Sequence, residues 1–256
     1  MPIIPRFPPN LPPDTLGWVA SPHYQSPLLA GTDNKQATGG SVSSPLGCSY
    51  EALSTFEKRG VRIAHLNPNV LDVRTQVPMR TSTEFADLVR RYEGRVPRSS
   101  MPFFDIVLTM RAPAPKDFEY VVLNVKEVKR LRSPAVIRRM LREQVFCKRI
   151  GWRWYLATEL ELPIADALKA KLLMNWVKHI TASPNELQRL ATFVQANADG
   201  ARLIDVLDRA SRLLKIDADL TAGQFAFCVL EGLLRLDLSH PFGMPVPLAL
   251  TSGLIE

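Results

Sequence analysis

The sequence predicts an α/β domain with a mixed central sheet, followed by a second, helical domain. Short apolar runs alternate with amphipathic helical patterns up to Pro163, and the pattern is helical from there to the end of the chain. A length of 256 residues is enough to bury one large core or two smaller ones. We therefore expect an N-terminal arm at 1–48, an α/β domain at 49–163 and a C-terminal domain at 164–256.

The expected arm is rich in proline. Residues 1–48 contain nine prolines together with Gly39-Gly40 and several serines, and they show no sustained helical or alternating pattern. Such a composition is typical of an extended, disordered segment. A segment that binds a partner is the alternative interpretation.

The α/β domain follows the order helix, strands, helix, strands, helix, strand. The elements are expected at 49–58 (helix), 61–66 and 70–75 (strands), about 82–92 (helix), 103–108 and 121–126 (strands), 134–150 (helix) and 152–158 (strand). Ser49 is a candidate N-cap, and Pro134 suits the first position of a helix. The apolar stripe expected for that later helix consists of Val136, Ile137, Met140, Leu141 and Val145.

The C-terminal domain contains a helix-turn-helix pattern. Ala201–Leu214 and Thr221–Glu231 read as helices separated by a turn, and Gly232 is a suitable stop signal. The following Leu233–Leu238 alternates apolar and polar residues in its second half. This order predicts a winged-helix domain.

Two charges stand inside apolar runs that read as buried strands. Asp105 lies in Phe103-Phe104-Asp105-Ile106-Val107-Leu108, and Lys126 ends the run Val121-Val122-Leu123-Asn124-Val125-Lys126. A buried charge is costly unless a metal, a partner group or a substrate compensates it. The pair therefore indicates an active site, with a structural ion pair between Asp105 and Lys126 as the alternative.

The short connection between these strands predicts a hairpin in which Asp105 meets Asn124 and Lys126 on one face. An acid on one strand and a polar-x-Lys triplet on the next is the layout of PD-(D/E)xK nucleases. Asp105 would be the central ligand of Mg²⁺, for which Mn²⁺ can substitute, and the Val125 carbonyl would add a backbone ligand. Lys126 would orient or activate the attacking water.

Glu51 is the candidate second carboxylate, for catalysis and for the metal, and Glu57 is a substitute. A glutamate in the first turn of a helix also complements the helix dipole, which is the structural alternative for Glu51. The catalytic set expected from the sequence is Glu51, Asp105, Asn124 and Lys126, and the expected metal ligands are Glu51, Asp105 and Val125.

Positive charge is concentrated in the middle of the chain. Residues 49–180 contain 24 Lys and Arg against 14 Asp and Glu, whereas residues 181–256 contain six against nine. A polyanion partner is therefore expected for the middle segment alone. The expected DNA-binding residues follow Lys126 directly, with a solvated basic helix face as the alternative: Lys129, Arg130, Arg132, Arg138, Arg139 and Arg142.

The composition argues against several other classes of protein. No run of 18 apolar residues occurs, and Met1 to Pro5 is followed by a segment that contains Pro8 and Pro9 rather than by a signal-peptide core, so we expect no membrane segment and a cytoplasmic location. Three cysteines and four histidines are widely scattered, which argues against a disulfide framework and a zinc site.

Five short motifs, in this order and spacing, resemble the TnsA endonuclease subunit of heteromeric transposases over most of residues 49–256. They are Ser49-Tyr50-Glu51, the segment Leu66 to Gln76, Phe104-Asp105, Asn124-Val125-Lys126, and Gly151 to Glu159. The resemblance implies a restriction-endonuclease-like domain that cuts the 5′ ends of a transposon in bacterial cytosol, while a separate DDE transposase subunit processes the 3′ ends. It also implies a winged-helix domain that engages an AAA+ regulator ATPase.

The same resemblance maps acidic ligands onto Glu51 and Asp105, a Gln-x-Lys pair onto Asn124 and Lys126, and an acidic helix position onto Glu143. Asn124 departs from the usual Gln or carboxylate. Two alternatives to the transposon-end nuclease therefore remain open: a non-catalytic DNA-binding adaptor with a degenerate nuclease fold, and a stand-alone restriction-type endonuclease.

Overall fold

The computed structural model describes residues 11–21, 23–28, 39–43, 48–93, 96, 101–112, 118–177 and 182–251. The chain forms two compact units. The first unit contains the described residues of Arg6–Ala64 and Asn69–Ile164. The second unit contains His65–Pro68 and the described residues of Ala165–Glu256.

A four-stranded mixed sheet forms the centre of the first unit. Its strands are β3 (Val70–Pro78), β4 (Phe103–Arg111), β5 (Phe118–Val125) and β6 (Arg153–Ala157), in that spatial order. The β3–β4 and β4–β5 pairs are antiparallel, and β5–β6 is parallel. The expected α/β class with a mixed sheet is therefore confirmed. The β4–β5 pairing matches Ile106 with Leu123, so the two strands that carry the charged residues are direct neighbours.

The described residues of this unit also form three α-helices, one 3-10 helix and a two-stranded ribbon. The helices are α1 (Thr55–Ala64), α2 (Ser82–Arg91) and α3 (Pro134–Arg149), and a 3-10 helix spans Val128–Arg132. Strands β1 (Gly40–Ser43) and β2 (Ser49–Ala52) pair with each other in a separate antiparallel ribbon. Helices α2 and α3 and strand β6 lie close to their expected positions.

The first expected helix and strand are wrong. Ser49 starts strand β2 and caps no helix, and the segment expected as a strand at 61–66 lies mostly within α1. The buried residues of α1 are Glu57, Gly60, Val61 and Ala64, which follow the i, i+3, i+4, i+7 pattern of a helix. Because two of these buried positions are a glutamate and a glycine, hydrophobic periodicity does not indicate the helix. Gly60 permits close packing of α1 on the sheet, because a Cβ there would lie 2.8 Å from Ile106 Cδ1 and would displace that side chain.

The apolar stripe expected for α3 is mostly not its buried face. Ile137, Leu141 and Val145 are 41%, 55% and 67% exposed, whereas Val136 and Met140 are half-buried. The fully buried residues of α3 are Glu143 and Cys147. The helix is thus rotated so that a carboxylate, rather than an aliphatic row, faces the interior.

Several described residues of the N-terminal segment are buried against the first unit, so the expectation of a disordered arm does not hold for residues 11–21 and 23–28. Leu16 belongs to the core that also contains Phe104 and Trp152. The buried Asp14 forms an ion pair with the buried Arg74 of β3. Residues 1–10, 22, 29–38 and 44–47 of the expected arm lie outside the described residues.

The described residues of the second unit form four helices: α4 (Ile164–Trp176, of which Ala165 onward belongs to this unit), α5 (Pro184–Asn197), α6 (Leu203–Leu214) and α7 (Ala218–Leu230). One core includes Leu190, Leu203 and Phe225. Helices α6 and α7 match the expected helix-turn-helix pair. The expectation of helix to the end is wrong beyond Leu230, since residues 231–251 are irregular apart from single bridges that join Arg202 to Pro247 and Leu236 to Leu250.

The short segment 65–68 is part of the second unit although it lies between α1 and β3 in sequence. Leu66 packs against the helical core. Gly232, with a φ of +77°, lies so close to Pro68 that a Cβ would be 2.6 Å from the Pro68 Cβ. Only glycine satisfies both the backbone conformation and this approach.

Candidate active site

Asp105 and Lys126 meet at the edge of a cavity in the first unit. Lys126 Nζ donates to Asp105 Oδ2 at 2.6 Å and to the Val125 carbonyl at 2.9 Å. The Val125 N–H also donates to Asp105 Oδ2, at 3.0 Å. The two charged side chains are only 9% and 18% exposed. The strand pairing therefore brings together the acid, the base and a backbone carbonyl, as the alternation of the two strands predicts.

Glu57 of α1 is a second buried carboxylate at this site. Its Oε2 accepts from the Leu53 N–H at 2.7 Å and from Gln76 Nε2 at 2.9 Å, and Oε1 accepts from Ser54 Oγ at 3.0 Å. Burial, and then the negative charge of Asp105, raise the pKa of Glu57 to about 7. Glu57 thus carries a proton readily at neutral pH, unlike an exposed glutamate.

A third carboxylate, Glu143 of α3, lies on the other side. It accepts a short hydrogen bond from Asn124 Nδ2, and Arg139 Nε donates to its Oε1 at 3.0 Å. Burial and the charge of Asp105 raise the pKa of Glu143. Asn124 is fully buried, and its Oδ1 has no hydrogen-bond partner within the described part of the chain. The amide therefore retains one acceptor position.

The cavity has a volume of about 690 Å³. Its lining includes the buried acids Glu57, Asp105 and Glu143 together with the exposed Arg130, Arg139 and Arg142. Buried carboxylates surrounded by exposed guanidinium groups suit a cation at the floor and phosphate groups at the rim.

The other expected DNA-binding residues lie outside this lining. Arg132 and Arg138 are exposed and do not belong to the described lining, and Lys129 pairs with Glu127 at 2.8 Å. Three of the six expected basic residues thus border the cavity. The remaining three can contact only more distant parts of a long ligand.

Glu51 does not line the cavity in which it was expected to act as the second carboxylate. It lies on strand β2, opposite Ser41, and its Oε1 accepts from Ser41 Oγ at 2.8 Å. Among the described residues that line the cavity, Glu57 is present and Glu51 is absent. The reason is the local structure. Residues 49–52 are extended, and helix α1, which carries Glu57, begins six residues later than expected.

Gln76 is a site residue that the sequence interpretation missed. It has a φ of +54° in the middle of β3, which is unusual for a residue other than glycine. This conformation accompanies the hydrogen bond from its side chain to Glu57. The sequence offers no signal comparable to that of Asp105, because Arg74 and Thr75 directly precede Gln76 and the strand is not an apolar run.

The donors at the site are compatible with Mg²⁺ in their chemistry. Asp105 and the Val125 carbonyl provide hard oxygen ligands, and Mg²⁺ needs only one or two protein carboxylates because it keeps several waters. Asn124 is fully buried, bonds to Glu143 and is not among the described residues that line the cavity, so it is not placed as a ligand. No group of three or more His, Cys, Asp or Glu side chains in the described residues has the arrangement of a metal cluster.

A comparison with protein-family models finds no match, and no curated protein is significantly similar to this chain. Among the described residues, no helix has both the length and the apolar character needed to cross a bilayer.

Proposed function

We propose that the chain is a Mg²⁺-dependent DNA endonuclease whose first unit is a restriction-endonuclease-like domain. The observation that carries this proposal is the contact between Asp105 and Lys126, from neighbouring strands, inside a cavity with two more buried carboxylates and an arginine rim. Acids whose pKa values are raised by burial and by a neighbouring charge, together in a cavity, are a common feature of active sites.

In this proposal Asp105 and the Val125 carbonyl hold the metal, with Glu57 in the role expected for Glu51. Mg²⁺ would supply Lewis-acid chemistry and a water of lowered pKa. Lys126 stabilises the negative charge that develops on the phosphate and orients the attacking water. Arg130, Arg139 and Arg142 hold the phosphates that flank the scissile bond. Glu143 positions Asn124 and Arg139 through the two hydrogen bonds described above.

The resemblance to TnsA supports a more specific role. The chain would cut the 5′ ends of a transposon, together with a DDE transposase subunit, and its C-terminal unit would be a winged-helix domain that binds an AAA+ regulator. The order of α6 and α7 agrees with that arrangement. The acidic balance of residues 181–256, six bases against nine acids, favours protein docking over DNA binding for this unit.

An end-cleavage assay with the partner transposase, double-stranded transposon-end DNA and Mg²⁺ tests the proposal. Asp105→Asn and Lys126→Ala should each lower the cleavage rate by about 10²-fold or more. Lys129→Ala, outside the cavity, should cut at close to the parent rate. If both site variants cut like the parent while remaining folded by circular dichroism, the assigned roles are wrong. Cleavage without any partner would instead indicate a stand-alone nuclease.

A DNA-binding adaptor without catalysis is the second candidate. It is favoured by Asn124, which is neutral, and by the absence of a three-residue metal cluster from the described part of the chain. Titration with Mn²⁺ separates the two functions. The nuclease should bind the ion in a manner that Asp105→Asn abolishes, whereas an adaptor should show no binding that depends on Asp105.

A further inference from the structure

Strand β3 departs from regular extended structure at Gln76. The residues on either side of it pair with β4 in antiparallel register, and this register places Gln76 level with Asp105. Gln76 itself has a φ of +54°, whereas an extended residue in an antiparallel sheet has a φ of roughly −140°. The regular alternation of side chains along β3 is therefore broken beside the contact between Asp105 and Lys126.

A tyrosine of the N-terminal segment supports this conformation. The hydroxyl of Tyr24 donates to the Gln76 carbonyl at 3.1 Å and to the Thr75 carbonyl at 3.3 Å, so its single proton is shared between them. A left-handed conformation is unfavourable for a residue with a side chain, and it persists when surrounding contacts favour it. Such residues are concentrated at functional sites. The backbone at Gln76 therefore calls for an explanation in terms of what its side chain contacts.

The side chain of Gln76 bonds to one oxygen of Glu57. Gln76 is 3% exposed and lines the active-site cavity. Its Nε2 donates to Glu57 Oε2, which also accepts from the Leu53 N–H, whereas among the described residues Oε1 accepts from Ser54 Oγ alone. Each oxygen of a carboxylate offers about two acceptor positions. Oε2 is therefore saturated, and Oε1 keeps one position for a further donor or a cation.

A purely structural role, the compensation of a buried carboxylate, is the alternative for this amide. Two donors that directly precede α1, the Leu53 N–H and Ser54 Oγ, already bond to Glu57. A third donor, carried by a residue with an unfavourable backbone conformation, is more than burial alone requires. What the third donor adds is a choice between the two oxygens. That choice matters only if Glu57 binds something in the cavity.

We propose that Gln76 is a positioning residue for Glu57: by occupying Oε2, it leaves Oε1 as the oxygen available to the metal ion or to a water bound to it. This inference rests on the proposed function, because it takes Glu57 as the second carboxylate of a Mg²⁺ site. Removal of an outer hydrogen bond of this kind commonly lowers metal affinity or activity by about 10- to 100-fold. In this role Gln76 acts through Glu57 and touches neither the metal nor the DNA.

Gln76→Met removes the donor and keeps the length of the side chain. In the end-cleavage assay with Mg²⁺ and the partner transposase, it should lower the single-turnover rate by about tenfold or more and leave the Kd for the DNA unchanged. The double variant Glu57→Gln/Gln76→Met should cut no more slowly than Glu57→Gln alone, because the amide acts through the carboxylate. Gln144→Met makes the same change at an exposed position of α3 outside the described cavity lining, and should cut at the parent rate.

Titration with Mn²⁺ in the absence of DNA gives a readout that does not depend on cleavage. Gln76→Met should bind Mn²⁺ about tenfold more weakly than the parent, and Gln144→Met should bind it equally well. A parent Mn²⁺ affinity in a folded Gln76→Met variant would overturn the inference. Additive losses of cleavage rate in the double variant would also overturn it, since the two side chains would then act independently.

The two readouts separate this inference from the proposed function. If the parent cuts DNA and Gln76→Met cuts equally well, the nuclease stands and the role of Gln76 is wrong. If the parent binds Mn²⁺ without cutting, the nuclease function is wrong, and the Mn²⁺ affinities still decide the role of Gln76. If the parent neither binds Mn²⁺ nor cuts, both are wrong. Gln76→Gly takes the place of Gln76→Met if the latter does not fold, because glycine adopts a left-handed conformation without strain and lacks the amide.

Discussion

At the scale of single residues, Lys126 holds two oxygens that the proposed metal would also need. Its ammonium group bonds to Asp105 Oδ2 and to the Val125 carbonyl. A divalent cation and an ammonium repel each other by several kcal/mol at contact distances even in a partly screened site. The proposed metal and the ion pair would therefore compete, and Lys126 would have to leave these two oxygens for the metal to bind.

This competition predicts that removal of the Lys126 ammonium group raises the affinity for a divalent cation, although it abolishes cleavage. Lys126→Met should bind Mn²⁺ at least about tenfold more tightly than the parent in isothermal titration calorimetry, equivalent to about 1.4 kcal/mol. The same variant should not cleave DNA. Lys129→Met, which removes an exposed ammonium paired with Glu127, is the matched control and should change neither property. Unchanged or weaker Mn²⁺ binding by Lys126→Met would contradict the competition.

The assignment of the second carboxylate gives another test at this scale. Glu57→Gln should lower the end-cleavage rate by about 10²-fold, because Glu57 lines the active-site cavity. Glu51→Gln makes the same change on strand β2 and should cut at nearly the parent rate. Equal losses of cleavage rate in the two variants would mean that both glutamates act at the scissile phosphate. A loss in Glu51→Gln alone would mean that Glu51 is the second carboxylate, as the sequence predicts.

The contact between Asp105 and Lys126 could be predicted from the sequence for particular physical reasons. Asp105 and Lys126 stand out because a charge in an apolar strand is costly, and strand alternation brings them together. Glu57 was given second place because its helix was expected to begin at Ser49 and end at Lys58. Gln76 was missed because its role depends on a left-handed backbone conformation that composition does not reveal.

At the scale of elements, α5 shows how one cap stabilises a helix of the second core. Ser183 and Glu186 form a reciprocal capping box, and the helix buries Leu187, Leu190, Ala191 and Val194. The Ser183 N–H, followed by the Ser183 hydroxyl, lowers the pKa of Glu186. Because that pKa is depressed in the folded state, the contribution of Glu186 is present above its unfolded value and is lost as the pH falls through the folded value.

Ser183→Ala should lower the free energy of unfolding of the second unit by about 1 kcal/mol, measured by urea denaturation at neutral pH. Thr192→Ala on the same helix removes a hydroxyl that bonds only to the Gln188 carbonyl one turn earlier, and should cost nothing. Glu186→Gln should reduce the loss of stability on acidification. The capping role would be disproved by equal stability of the Ser183 and Thr192 variants.

The boundaries of α3 could be predicted from the sequence, but its buried face could not. Its start at Pro134 and its end near Ile150 follow from proline and glycine signals. Its orientation does not, because the buried face is chosen by Glu143 and its bonds to Asn124 and Arg139. A polar network thus outweighs the aliphatic row Ile137, Leu141 and Val145, which hydrophobic periodicity alone would bury.

At the scale of the whole molecule, the first unit depends on a segment far from its sheet in sequence. Arg74 is 1% exposed and is paired with Asp14 and with Asp72, the latter at 3.1 Å. Asp14 also accepts from the Leu16 N–H at 2.8 Å. Trp152 Nε1 donates to Thr15 at 2.8 Å. Proline content alone predicted a disordered arm, because composition does not show that a distant buried arginine requires a carboxylate.

Asp14→Ala should therefore destabilise the first unit by about 3 kcal/mol, since removing one partner leaves a buried guanidinium incompletely compensated. Chemical denaturation monitored by tryptophan fluorescence measures the change. Asp87→Ala breaks an exposed pair with Arg90 and should stay within about 0.5 kcal/mol of the parent. A similar small effect of Asp14→Ala would mean that Asp72 alone neutralises Arg74.

The membership of residues 65–68 in the helical unit has a practical consequence for dissecting the protein. A fragment that starts at Ala165 would lack the proline against which Gly232 fits and the leucine that covers part of the helical core. A fragment that stops at Ile164 would carry those same residues without their packing surface. Neither fragment produced by a single cut would reproduce the packing of its unit. Activities should therefore be assigned by point substitutions in the intact polypeptide.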